Sequence, residues 1–252
     1  MNRRELMGYG ATGLVTALLS NLGRKADAKS PALSVQWLGH TCFLFTGSGV
    51  RILVNPFRTA GCTAGYRPPR VEADLVMISS KLLDEGAVDG LPGTPKLVYA
   101  PGAYEFKGIQ LQGIATDHDR KGGKQFGMNT AWSWEQGGIK ILHLGGAAGP
   151  IGIEQRILMG RPDVLFIPVG GSDKAYNAQE AQQVTGLLNP KLVIPTHYRT
   201  QAANDVCDIS PVDEFLSLMQ GMTVTRSNSD ITNITANNLP EKSEIRVLTY
   251  KF

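Results

Sequence analysis

From residue 33 onward the chain is a succession of short apolar blocks, and their period changes about halfway along. Residues 33–37 and 42–45 are short β-type runs, the triplet Gly47-Ser48-Gly49 is a turn, and 50–54 is the next strand. Residues 74–78 predict a buried strand, because Leu75, Val76, Met77 and Ile78 are apolar without alternation. Residues 96–99 predict another. Residues 104–114 predict a strand pair around Lys107-Gly108, and 130–134 with 139–144 a hairpin through Gln136-Gly137-Gly138.

The second half reads differently. Residues 151–159 predict a helix and 163–169 a buried strand. Asn177 is placed to cap the next helix, with Glu180 three positions on as its capping-box partner. Ala181, Val184, Leu187 and Leu188 give that helix its apolar face, and Asn189-Pro190 ends it. Residues 192–195 are a strand, Ser210-Pro211 opens a helix, and 245–250 is a closing strand. Antiparallel strands followed by strand–helix units suit an α/β fold of the αββα two-sheet kind, although the bare pattern also admits other α/β folds.

The first 28 residues do not fit this pattern. Arg3-Arg4 precede a short, glycine-interrupted apolar run, and Ala26-Asp27-Ala28 is a small-x-small cleavage signature. The expectation is a twin-arginine export signal followed by one domain, 29–252. The apolar run is too short to span a bilayer, so no integral span is expected after cleavage. Length (252 residues), 42% hydrophobic residues and 19% charged residues fit one globular domain. The net charge of +3, with no concentrated basic stripe, excludes a nucleic-acid binder. Three cysteines, Cys42, Cys62 and Cys207, leave at least one unpaired and admit one disulfide in an oxidising compartment.

Four motifs carry a resemblance. Trp37-Leu38-Gly39-His40-Thr41, Asn55-Pro56-Phe57, Ile167-Pro168-Val169-Gly170-Gly171 and Pro195-Thr196-His197-Tyr198 stand in order along the chain. Each alone is weak, but together they resemble the metallo-β-lactamase superfamily, nearest to its ascorbate-6-phosphate lactonase-like branch, over residues 33–252. The resemblance implies an αββα fold and a His-x-His-x-Asp-His motif that holds one or two divalent metals after the strand at 74–78. Here that motif reads Ser80, Leu82, Asp84, Glu85 at its four ligand positions. A leucine has no lone pair and a neutral serine is a poor zinc ligand. The family's later ligands fall on His118, Gly146 and His197, and its Asp-Pro-Phe aspartate on Asn55.

The resemblance therefore implies a first metal site reduced to His118 and a second that keeps Asp84, Glu85 and His197. The candidate ligands are Asp84, Glu85, His118 and His197, with Asp84 also the candidate catalytic residue. Such a set would hold at most one divalent ion (zinc or manganese) at low occupancy, and is better matched to hard cations than to dinuclear zinc. Two functions follow as expectations. One is a pseudoenzyme or binding protein acting on an unidentified small molecule or protein in the periplasm or thylakoid lumen. The other is a mononuclear metal-dependent hydrolase of a small ester, lactone or phosphoester that uses a metal-activated water.

The remaining chemistry reads as structural. His40 is expected to donate to a backbone carbonyl and His143 to pack at a strand end. Gly145-Gly146 and Gly170-Gly171 read as tight turns. Lys81, with Arg120, Lys121, Lys124 and Arg199, offers a weaker anion-binding reading, and a Ser80–His118 hydrolase lacks the nucleophile-elbow glycines.

Overall fold

A computed structural model describes residues 32–252, so the expected export segment, 1–28, lies outside the described residues. The first sheet contains β1 (Leu33–Gly39), β2 (Cys42–Gly47), β3 (Val50–Val54), β4 (Leu75–Met77) and β5 (Lys96–Val98). The second contains β6 (Gly102–Phe106), β7 (Ile109–Asp117), β8 (Met128–Gln136), β9 (Ile139–His143), β10 (Val164–Pro168) and β11 (Leu192–Thr196). Helix α1 (Ile153–Met159) packs against β7, α2 (Ala178–Leu188) against β10, and α3 (Val212–Leu218) against α2.

Three late strands complete the sheets: β12 (Thr223–Arg226), β13 (Ile231–Ile234) and β14 (Glu244–Val247). The sheet orders are β13-β1-β2-β3-β4-β5 and β12-β14-β11-β10-β9-β8-β7-β6. Of the three, only β14 is expected from the apolar pattern, and it begins and ends earlier than the run at 245–250. β12 is exposed along its whole length and β13 alternates over four residues, so neither carries enough apolar signal to stand out.

The sheets face each other through aromatic contacts. Phe166 on β10 lies 4.8 Å from Phe43 and 5.1 Å from Phe45, and Trp134 on β8 lies 4.9 Å from Phe45 (ring centroids). Edge-to-face packing of this kind adds to the burial term. Capping follows the sequence: the Asn177 side chain accepts from the Glu180 peptide, and Glu180 returns the bond to the Asn177 peptide. Asn189 closes α2 in the left-handed conformation.

Strand direction places the site. β2 runs antiparallel to both β1 and β3, so β1 and β3 share a direction, and β4 is parallel to β3. In the other sheet β8 is antiparallel to β7 and β9, while β10 and β11 run parallel to β9. In each sheet the loops after these co-directional strands emerge at one end. His40, Asn55, Ser79 to Glu85, His118, Gly146 and His197 all lie on such loops. Two backbone bonds join the sheets there, from the Thr130 peptide to the Ser79 carbonyl (2.7 Å) and from the His197 peptide to the His40 carbonyl (3.5 Å).

Candidate metal centre

His40 follows β1 directly, and the close turn is possible because residue 39 is glycine. Gly39 has φ +113°, and a Cβ there would stand 2.7 Å from the Tyr66 ring. His40, Asn55 and His197 themselves adopt φ +53°, +52° and +48°. Left-handed backbone at a non-glycine residue costs about 1–2 kcal/mol, and three cases around one cleft mark positions fixed by the surrounding structure.

Asp84 brings these elements together. One ligand atom each from His40, Asp84 and His197 lies within 4.8 Å of the others. His40 Nε2 is 4.0 Å from Asp84 Oδ2, and the two imidazole rings are 4.3 Å apart by centroid. Both histidines are buried, yet neither His40 nitrogen nor His197 Nδ1 has a hydrogen-bond partner within the protein. His40 is thus not the carbonyl donor expected from the sequence; its own carbonyl is the bonded group, accepting from Trp37 Nε1. Buried polar atoms are almost always satisfied, so unpartnered ring nitrogens beside a carboxylate are suited to holding an ion.

Burial lowers the pKa of both rings, to about 4 for His40 and about 3 for His197, so both stay neutral with lone pairs available. Asp84 is ionised: burial works against its charge, but the Lys174 ammonium and the neighbouring histidines hold its carboxyl down to about 2. Lys174 makes a close ion pair with Asp84 Oδ2.

The structure divides the four candidate ligands named from the sequence. Asp84 and His197 converge with His40, whereas Glu85 and His118 bond to each other through Glu85 Oε1 and His118 Nε2. Ser80 Oγ donates to the same Glu85 oxygen (2.7 Å), and Asn55 Nδ2 lies 3.5 Å from the other. His118 Nδ1 faces the Lys174 carbonyl at 2.9 Å, a pure acceptor, so that nitrogen carries a proton. Burial opposes charge on both partners, but each partner's field favours it in the other. The His118 pKa is raised and that of Glu85 lowered, so each partner favours the charged form of the other. A Cβ at Gly146 would collide with His118 Cε1 and approach Glu85 Oε1 to 3.1 Å, so this glycine makes room for the pair.

The residues fit one ion. His40, Asp84 and His197 offer two imidazoles and a carboxylate with unpartnered nitrogens, a set suited to a divalent cation. They do not fit two: on the other side Glu85 is already engaged by His118 and by Ser80 Oγ, and Leu82 at a ligand position of the motif offers no lone pair. His143 behaves as expected, packed at a strand end between the Thr41 carbonyl (3.1 Å) and the Gly145 peptide (3.1 Å). The basic residues noted in the sequence do not assemble an anion cleft. Arg120 grips Glu180 with two 2.7 Å bonds, Arg199 bonds the Cys207 carbonyl, and Lys81 lies exposed over Tyr99.

Two residues of this site escaped the sequence reading. His40 had a local signal, a histidine in a glycine turn directly after a strand. Lys174 had none, being 90 residues from Asp84.

A model of the β-lactamase superfamily domain matches residues 34–197. A metal-dependent hydrolase from Thermococcus onnurineus is 29% identical over 193 residues, which is 67% of this chain and 85% of the relative. One from Thermus thermophilus is 28% identical over 195 residues, 67% of this chain and 84% of the relative. A crystal structure from Thermotoga maritima, of a proposed Zn-dependent hydrolase of the metallo-β-lactamase superfamily, superposes with a TM-score of 0.69 at 30% identity. That match covers 86% of this chain and 98% of the other.

Proposed function

The chain belongs to the β-lactamase superfamily, and from that premise we propose that it is a mononuclear metal-dependent hydrolase whose single divalent ion is held by His40, Asp84 and His197. The observation that carries this reading is the pair of buried, neutral imidazoles with unpartnered nitrogens facing an ionised carboxylate. The names of the relatives from Thermococcus onnurineus and Thermus thermophilus support a metal-dependent reaction. The substrate class proposed is a small ester, lactone or phosphoester.

A bound ion supplies Lewis acidity at a carbonyl or phosphoryl oxygen. The chain's own residues do the rest. His40 and His197 keep their lone pairs because burial prevents protonation. Asp84 provides the negative charge, and the Tyr66 ring packed over Gly39 fixes the turn that aims His40. Glu85, His118 and Ser80 hold the loop that carries Asp84 in place.

Titration of the purified protein, stripped with EDTA, with zinc or manganese in a calorimeter tests the reading. The expected result is one ion per chain, with at least about tenfold weaker binding in His40→Ala and in His197→Ala. Hydrolysis of a lactone or phosphodiester is expected to be lost in Asp84→Ala. A binding protein without chemistry is the alternative, favoured by the Lys174 ammonium already resting on Asp84. It requires that no hydrolysis accompany metal binding.

We also propose export by the twin-arginine route to the periplasm or thylakoid lumen. Arg3-Arg4 and Ala26-Asp27-Ala28 support it, as does a disulfide between Cys62 and Cys207. Attachment of residues 1–40 to a reporter, scored for loss of export in Arg3→Lys/Arg4→Lys, tests that proposal.

A further inference from the structure

We infer that Lys174 is the resident second cation of this cleft: its ammonium, fixed on Asp84, takes the place of a second metal and sets both the number of ions bound and how tightly the one ion is held. The inference rests on the metal site proposed above. Asp84 and Glu85 are adjacent carboxylates, the first partly exposed and the second buried, and each has a basic partner within the chain. Lys174 pairs with Asp84 and the His118 ring with Glu85. The two carboxylates that would draw in a pair of metals are thereby engaged within the chain.

Lys174 is held in place, unlike a typical surface lysine. Its carbonyl accepts from His118 Nδ1 (2.9 Å), which ties the two pairs together through one residue. Its loop is closed by the Gly171 peptide on the Tyr176 carbonyl (2.9 Å) and tied down by Tyr176 Oη donating to Gly149 O (2.6 Å). Arg120 clamps both ends of the same loop, reaching the Ser172 carbonyl (2.7 Å), the Ala175 carbonyl (2.9 Å) and Glu180. The Lys174 and Asp84 side chains are 26% and 25% exposed, enough for solvent and ions to reach and too little for free rotation. A divalent ion on His40 and His197 must then share Asp84 with a fixed positive charge, and like charges across one carboxylate repel strongly at low dielectric.

The test measures zinc stoichiometry by native mass spectrometry and affinity by calorimetry at neutral pH. The proteins compared are the wild type, Lys174→Met, Lys174→Gln and the charge-retaining Lys174→Arg, each checked for an intact thermal transition. The expected result is one zinc per wild-type chain, binding tighter by about tenfold or more in Lys174→Met and Lys174→Gln, and near-wild-type affinity in Lys174→Arg. Unchanged or weaker binding in the two neutral variants would overturn the role of Lys174 while leaving the metal site standing. Equal tightening in Lys174→Arg, or two zinc ions on the wild type, would do the same. Absence of zinc binding in the wild type and all three variants would overturn the metal site together with this inference.

Discussion

Gly146 occupies the position where the resemblance expects a bridging carboxylate, and its lack of a side chain has a steric cause: the Glu85–His118 pair fills the space. Overpacking a tight buried site costs about 1–3 kcal/mol. Gly146→Ala is therefore expected to lower stability by about that amount in chemical denaturation. It should also release His118 from Glu85, which NMR would detect as a His118 imidazole titrating closer to its ordinary value. At this scale the sequence was partly legible. Asp84, Glu85, His118 and His197 stood out by their order along the chain, and all four lie around one cleft. Their grouping was not legible, because it depends on which carboxylate each histidine faces across the sheets. A glycine turn explains His40 without a ligand, and only its unpartnered ring nitrogens count against a purely structural role.

The elements around the site are braced by the loops that follow the strands. The disulfide from Cys62 to Cys207 joins the loop after β3 to the loop after His197 across 145 residues. Beside it the Gly65 peptide bonds the Ala202 carbonyl (2.8 Å), and Tyr66 Oη meets Thr200 Oγ1 (2.7 Å). Closing so long a loop restricts the unfolded chain, and losing such a bond typically costs about 2–5 kcal/mol. Cys207→Ser, or reduction with dithiothreitol, is expected to lower the melting temperature and weaken metal binding, since Tyr66 carries the constraint to Gly39 and His40. An unchanged melting curve under reduction would contradict this. Cys42 is buried and its pKa is raised by burial, so it is expected not to react with thiol reagents in the folded state. Which cysteines pair was not legible, because the spacing of three cysteines fixes no partner. The strands and helices of the first 200 residues were legible because their apolar blocks, though short, are bounded by turn residues such as glycine and proline. β12 and β13 were not: short, exposed strands owe their place to partners in the sheet.

In the whole molecule, burial of the histidines makes folding depend on pH. His40, His143 and His197 stay neutral when folded, with pKa values of about 4, about 4 and about 3, yet take up protons near 6.5 when unfolded. Their contribution is complete above the unfolded value and is lost as pH falls toward the folded values. His118 acts in the opposite sense: its folded pKa is raised, so its contribution is present at low pH and is lost as pH rises through that value. Asp84, held down to about 2, contributes above its ordinary 3.8 and loses that contribution only as pH falls toward 2. Metal-free protein is thus expected to bind about three more protons on unfolding at mildly acidic pH, a slope on the order of 4 kcal/mol per pH unit. Urea unfolding from neutral pH downward measures it, and a flat profile would contradict buried neutral histidines. An α/β fold was legible in the succession of strand and helix blocks, while the two-sheet sandwich among the α/β folds that pattern admits was implied by the resemblance. The convergence of loops at one end follows from strand direction, which pairing alone decides.

Whether one ion sits on His40, Asp84 and His197 is decided by crystals soaked in zinc and measured at the zinc absorption edge. The expected result is one anomalous peak per chain, in bonding contact with all three residues and separate from the intact Glu85–His118 pair. Two peaks in the cleft, a peak on Glu85 and His118, or no peak beside His40 would contradict it.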